Sequence, residues 1–226
     1  MKWQRKILKQ VSYPLLLPIS KWYAAKERTA MVDGIALTVQ PGVFHPSLFF
    51  STKFLLSWLK QQSLQNLTVL ELGAGSGLLA IYAAKQKAVV TASDISTTAY
   101  DNIQMNCTKN DVSIQVILSN LFNKISNPCF DIILINPPYY PKNPISENEF
   151  AWFCGEDYDY FQALFFQLPN YLKNTSKAIM VLSEDCNIEV IQSLALQNNL
   201  SWKLIAQKNF WAEENYLFQI THTSNN

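Results

Sequence analysis

A chain of 226 residues has room for one domain of ordinary size with a short addition, and its 49% apolar residues can build a substantial core. With 15% charged residues and a net charge of +1, the composition excludes a disordered chain and gives no bulk attraction for nucleic acid or membrane. Two arginines, Arg5 and Arg28, argue against extensive bidentate phosphate recognition, and the scattered Cys107, Cys129, Cys154 and Cys186 fit reduced thiols in a cytoplasmic protein.

Residues 1–12 carry Lys2, Arg5, Lys6 and Lys9, with Trp3, Ile7 and Val11 at helical spacing. Three roles fit this basic amphipathic pattern: a helix lying on the domain, a nucleic-acid arm or a membrane-surface segment. The apolar residues 13–19 are too few to span a bilayer and are broken by Pro14 and Pro18, so neither a targeting segment nor stable membrane insertion is expected. Asp33-Gly34 then reads as a hairpin turn between residues 29–32 and 35–39, and Pro41-Gly42 as a second turn. Pro46-Ser47 opens a helix whose apolar face holds Leu55, Leu56 and Leu59. Residues 1–60 are therefore expected to be an extension ending in a roof helix, not an independent domain, and residues 61–226 the main domain.

From residue 68 onward strands and helices alternate. Strands are expected at 68–72, 89–92, 113–118, 130–135, 177–182, 202–207 and 216–220. Helices are expected at 78–85, 97–109, 156–172 and 188–197, the third interrupted or ended near Pro169. The pattern describes a two-sided α/β sheet.

Two stretches carry chemistry. The first strand runs into Glu71-Leu-Gly-Ala-Gly-Ser-Gly77, whose Gly73, Gly75 and Gly77 permit a sharp turn and close approach of a bound group to the backbone. Their spacing departs from the dinucleotide fingerprint, which disfavours pyrophosphate binding. Asp94, at the end of the second strand, is suited to accept two ribose hydroxyls, while Ser96 is the better cap for the following helix. Asn120 can offer an amide oxygen to an exocyclic amine, and Leu121 or Phe122 can cover a purine. The second stretch is Asn136-Pro-Pro-Tyr139, directly after an apolar strand rich in β-branched residues. Pro137 and Pro138 have no amide hydrogens, so acceptors dominate there: the Asn136 carboxamide oxygen and the segment's carbonyls. Tyr139 adds an aromatic face. A planar group with two N–H donors suits this set. His45 and His222 form neither a metal site nor a nucleophilic triad, and no metal is expected.

Taken together, Glu71-Leu-Gly-Ala-Gly-Ser-Gly77, Asp94 and Asn136-Pro-Pro-Tyr139 resemble the class I S-adenosylmethionine-dependent methyltransferases. More narrowly, they are similar to the methyltransferase small domain group, which includes release-factor glutamine and ribosomal-RNA N-methyltransferases. The resemblance implies a Rossmann-like, seven-stranded, mostly parallel sheet with its last strand antiparallel and helices on both faces. It implies S-adenosyl-L-methionine as cofactor, held by Phe44, Glu71, Gly73, Ala74, Gly75, Gly77, Asp94, Ile95, Asn120 and Leu121. It places Asn136, Pro137, Pro138 and Tyr139 at the methylated nitrogen. Residues 41–56 resemble the segment that roofs the active site, and residues 209–218 the closing hairpin. Two departures stand out: Asn120 replaces a usual acidic residue, and Cys154-Gly-Glu-Asp-Tyr158 replaces a glycine-richer segment. Protein glutamine, an RNA base and a small amine all remain as substrate readings, and so does a noncatalytic protein on the same fold. A partner subunit is compatible with each.

Overall fold

Residues 132–135 of the strand Phe130–Ile135 are apolar and buried, with no polar face to offer solvent, and the strand lies fourth in a seven-stranded sheet. In this computed structural model, residues 26–46, 50–126, 129–210 and 213–223 are described. The basic stretch at residues 1–12, Ser47 and Trp211 lie outside them. A separate hairpin pairs β1 (Arg28–Val32) with β2 (Ile35–Val39). It is followed by helix α1 (Phe50–Leu59). The main sheet then builds from β3 (Thr68–Leu72), α2 (Leu78–Lys85), β4 (Val89–Asp94), α3 (Thr97–Lys109), β5 (Gln115–Leu118) and β6 (Phe130–Ile135). It continues through α4 (Asp159–Gln167), β7 (Leu172–Ser183), α5 (Ile188–Gln197), β8 (Leu200–Phe210) and β9 (Glu213–His222).

The strand order is β5-β4-β3-β6-β7-β9-β8, with β9 antiparallel to both neighbours and the other six strands parallel. This is the expected sheet. Its strands alternate between two cores because successive side chains point to opposite faces. Val69, Ile132 and Leu134 join α1, α2 and α3 on one side. Leu70, Ile133 and Ile135 join α4 and α5 on the other. Each fully buried Leu or Ile contributes about 1.5–3 kcal/mol.

Two polar devices fix the parts that matter for the site. At the amino ends of the central pair, Asp131 Oδ2 accepts from the Thr68 amide at 2.8 Å and from its hydroxyl at 2.7 Å. The Asp131 amide in turn donates to Thr68 Oγ1 at 3.0 Å, and Lys173 closes the cluster with an ion pair to Asp131 at 2.8 Å. This clamp sits on the register that pairs Leu72 with Ile135.

The second device is a column of asparagines on α3. Asn102, Asn106 and Asn110 are spaced by four and so share one helix face. That face meets the open edge of β2. Asn106 accepts the Thr38 amide at 2.8 Å and donates to the Thr38 carbonyl at 2.8 Å. Asn110 does the same for Ala36, at 3.2 and 2.8 Å. Asn102 donates to Thr38 at 2.7 Å and accepts from Gln40 at 3.2 Å. Carboxamides thus stand in for a neighbouring strand, satisfying backbone groups that burial would otherwise orphan.

Several sequence expectations need correcting. The helix expected at 156–172 is shorter: Tyr158, at φ 61°, precedes α4, and residues 168–171 form a 3-10 turn containing Pro169. β7 begins at Leu172, five residues before the expected start, an extension hidden by the exposed polar residues Lys173, Asn174 and Thr175. β5 begins at Gln115 instead of residue 113. β8 and β9 run beyond the expected segments as a ribbon whose pairs include Lys208 with Asn215 and Asn209 with Glu214. Such polar residues read as loop until the partner strand is known.

Replacing Asn106 with Leu strands the Thr38 amide and removes the donor to Ser76 O, each buried orphan costing about 1–3 kcal/mol. Urea denaturation should show a loss of about 2–4 kcal/mol, larger than for the same change at Asn110, where fewer buried groups are released. Burial pushes Asp131 upward, but Lys173 and the two Thr68 donors outweigh it and hold the carboxyl at about 2, below its ordinary 3.8. A depressed carboxyl stabilises above its unfolded value and loses that contribution as pH falls through the folded one. The stability advantage of the protein over D131N should be full at neutral pH and shrink between about pH 4 and pH 2.

Candidate functional site

The glycine turn and the proline loop leave the sheet side by side. Leu72 pairs with Ser93 on one flank and Ile135 on the other, so Gly73 emerges between Asp94 and Asn136. This is the carboxyl edge of the sheet, where the chain reverses its direction of strand addition and a crevice opens. Gly73 and Ala74 donate their amides to Ser93 O, both at 2.9 Å, folding the turn back over β4. Gly73, Gly75 and Gly77 have φ of 71°, 53° and 77°, which explains glycine at each. A methyl group at Gly73 would meet no atom within 4 Å, so this turn opens on free space. At Gly77 it would meet Ile103 at 3.2 Å, so that glycine also lets α3 pack close.

Asp94 braces the turn from the next strand. Its Oδ2 accepts the Gly75 amide at 2.8 Å and its Oδ1 the Ser96 amide at 3.0 Å. The two oxygens offer about four acceptor positions, so these amides do not fill the carboxylate. Burial pushes the Asp94 carboxyl above its ordinary value, against the pull of these amides. Ser96 caps α3, accepting from the Ala99 amide at 3.3 Å. Glu71 is tied to the helix that follows the turn. It is buried with its Oε2 on the Ala80 amide at 2.7 Å, so it supports the first turn of α2. Burial raises its pKa to about 8, which leaves it mostly protonated at neutral pH.

The expected purine side is divided. Asn120 is exposed, Ile95 is 37% exposed, and Leu121 is buried at φ 47°. Phe122 does not face a pocket: it is fully buried, stacked on Tyr171 with ring centroids 4.2 Å apart. Of the two side chains offered as a purine cover, Phe122 is thus part of the core.

On the other flank, the Asn136 amide nitrogen donates to Thr52 Oγ1 of α1 at 3.3 Å. Pro137 is buried, while Pro138 and Tyr139 are half-buried. The Tyr139 ring lies 4.8 Å from that of Tyr140, and burial holds its hydroxyl well above the ordinary range. His45 is buried, and burial lowers its pKa, favouring neutral imidazole.

Three structural partners of the site carry no obvious sequence signal. Trp152 sits 5.5 Å from Phe44, ring to ring, so the loop after Tyr140 meets the segment after β2. Phe44 and Val43 also stand over Gly75, each 3.9 Å from where a side chain there would begin. Glu147 accepts from the Thr97 amide at 2.8 Å, docking the same loop on the start of α3. Asn106 donates to Ser76 O at 2.9 Å and joins the glycine turn to the hairpin. An i, i+4 series of asparagines is the one trace of this that sequence could have offered.

Among the described residues, no group of three His, Cys, Asp or Glu side chains is placed to hold a metal, and no helix is long and apolar enough to cross a membrane.

The model of the methyltransferase small domain matches residues 34–209. A provisionally named protein N5-glutamine methyltransferase of Methanocaldococcus jannaschii is 34% identical over 151 residues, covering 63% of this chain and 73% of the relative. Ribosomal RNA small subunit methyltransferase C of Buchnera aphidicola is 30% identical over 117 residues, covering 50% of this chain but 36% of the relative. Among solved structures, a T. thermophilus 16S rRNA methyltransferase in complex with AdoMet and guanosine aligns with a TM-score of 0.64 at 20% identity, over 87% of this chain and 50% of that one. The E. cuniculi Mtq2–Trm112 complex, described as responsible for methylation of the eRF1 termination factor, gives 0.61 at 14% identity, over 80% of this chain and 99% of that one. At such identities these structures speak for the fold. With the family match across most of the sequence, the chain belongs to the methyltransferase small domain family of S-adenosylmethionine-dependent methyltransferases.

Proposed function

We propose that this enzyme methylates a planar amide nitrogen, that of a glutamine side chain in a protein. The observation that carries this reading is the pairing of Leu72 with Ile135, from which a glycine turn and an acceptor-rich proline loop leave the sheet as neighbours. The open space at Gly73, flanked by the Asp94 carboxylate, fits a nucleoside-bearing cofactor. Asp94 would take the ribose hydroxyls on its remaining acceptor positions, with Gly73, Ala74, Gly75 and Gly77 lining the turn and Phe44 closing it. Ile95, Asn120 and Leu121 would flank the base. Glu71 would act from beneath, through α2. Bound S-adenosylmethionine supplies an electrophilic methyl group.

An amide nitrogen is a poor nucleophile because its lone pair is delocalised. The Asn136 carboxamide oxygen and the Pro137 carbonyl would accept its two hydrogens and turn the lone pair out of conjugation, with Pro138 fixing the loop and Tyr139 bordering the substrate plane. Positioning and fixed dipoles then carry the catalysis. The rim supports a protein substrate over a polyanion: residues 140–159 hold Glu147, Glu149, Glu156, Asp157 and Asp159 against one lysine, Lys142. The name of the M. jannaschii relative points the same way. A second reading, an RNA base amine, is favoured by Lys2, Arg5, Lys6 and Lys9 in a stretch without carboxylates. The Mtq2–Trm112 assembly makes a partner subunit a reasonable addition to either assay.

Labelled methyl transfer into fractionated cell extract tests the proposal. Label should enter the protein fraction at glutamine; label confined to RNA would select the second reading. Asn136→Ala should lower turnover about a hundredfold or more while leaving cofactor affinity within about twofold. Asp94→Ala should do the reverse, weakening S-adenosylmethionine binding about tenfold or more by calorimetry, with turnover largely recovered at saturating cofactor. Swapped outcomes would reverse the two assignments.

A further inference from the structure

Helix α1 buries one stripe. Thr52, Leu55, Leu56 and Leu59 recur at the spacing of a single helix face, and all four are buried. Three are leucines. The fourth carries a hydroxyl where another aliphatic side chain would pack as well and need no hydrogen bond. That hydroxyl lies 3.3 Å from the Asn136 amide nitrogen, across 84 positions of sequence. From this we infer that Thr52 is a positioning residue, setting the orientation of the Asn136 carboxamide for catalysis. The inference rests on the proposed role of Asn136 and deepens it.

A terminal amide has two faces that are nearly equal in shape and opposite in hydrogen bonding. In this arrangement the nitrogen faces Thr52 and the oxygen is left for a substrate N–H. A carboxamide with no such partner turns about its side-chain bonds and presents its oxygen in many directions. The Thr52 hydroxyl restricts that motion through a hydrogen bond, which valine, of the same shape, cannot make. Thr52 also sits on a firm base. Phe54, Leu55, Leu56 and Leu59 are buried around it, and Phe210, from the far hairpin, stacks on Phe50 with centroids 4.7 Å apart. The roof helix therefore does more than cover the crevice. It carries the partner that holds the carboxamide in place.

The test compares Thr52→Val, Thr52→Ser and Asn136→Ala with the parent enzyme. Each receives labelled S-adenosylmethionine and the protein fraction of a cell extract. Initial incorporation at saturating cofactor, cofactor affinity by calorimetry and melting temperature are measured together. Thr52→Val should lower incorporation about tenfold or more, with cofactor affinity within about twofold. Thr52→Ser, which restores the hydroxyl but not the methyl group, should recover most of the rate. Incorporation by Thr52→Val within about twofold of the parent, with Asn136→Ala inactive, overturns the positioning role alone. An equal loss in Thr52→Val and Thr52→Ser also overturns it, since packing would then be the cause. Full activity in Asn136→Ala overturns both this inference and the proposed role of Asn136 on which it rests.

Discussion

The pairing of β3 with β6 is the constraint on which the rest depends. Each strand ends in a loop with unusual backbone chemistry, one rich in glycine and the other poor in amide donors. Neither loop is a site alone. Register decides whether they meet, and a slip of one residue would also turn every side chain of the slipped strand to the opposite core. Val69 and Leu70 belong to different cores, as do Ile132 and Ile133, so such a slip would bury the wrong set on both faces. The Thr68–Asp131–Lys173 cluster holds the amino ends of the same pair. Apolar alternation and a polar clamp at the far end thus select the one alignment that brings Gly73 beside Asn136.

The roof is attached by other means. A two-stranded hairpin cannot bury enough surface to stand alone, and one edge of β2 would be left open against α3. The asparagine column resolves both problems, because carboxamides present a donor and an acceptor at helical intervals. Asn106 extends the same network to Ser76 in the glycine turn. Hairpin, helix and turn consequently share hydrogen bonds, and Val43 and Phe44 are held over Gly75 by partners outside their own segment. The loop after Tyr140 reaches the same region from the other side, through Trp152 on Phe44 and Glu147 on the first amides of α3.

What sequence could reveal divides along the same line. The glycine turn, Asp94 as a strand-end carboxylate, Ser96 as a cap and the central apolar strand were legible because each expresses a local rule. The seven-stranded, mostly parallel sheet with its last strand antiparallel followed from resemblance to a family. Asn102, Asn106 and Asn110 were not legible in this way: polar residues four apart usually mark a solvated helix face, and only the approach of β2 makes them interior. The choice between Leu121 and Phe122 as a purine cover was open for the converse reason, since an aromatic next to a nucleoside-like loop suggests a stacking surface until Tyr171 is seen covering it. The length of β8 and β9 depended on strand pairing, which polar residues near a hairpin tip do not announce.

A neutral carboxamide at position 136 also fits the electrostatics of its neighbours. Burial raises both Glu71 and Asp94, and each also lies near another acid: Asp94 for Glu71, Glu147 for Asp94. A carboxylate in place of Asn136 would add negative charge to the same edge of the sheet, and its own pKa would rise in response. Once protonated it could present a donor to the substrate where the proposed role of Asn136 asks for an acceptor. The carboxamide accepts without bearing charge and has no titration of its own to couple to those acids. What it leaves loose is its own rotation, and the group that bonds it within this fold is the Thr52 hydroxyl on α1.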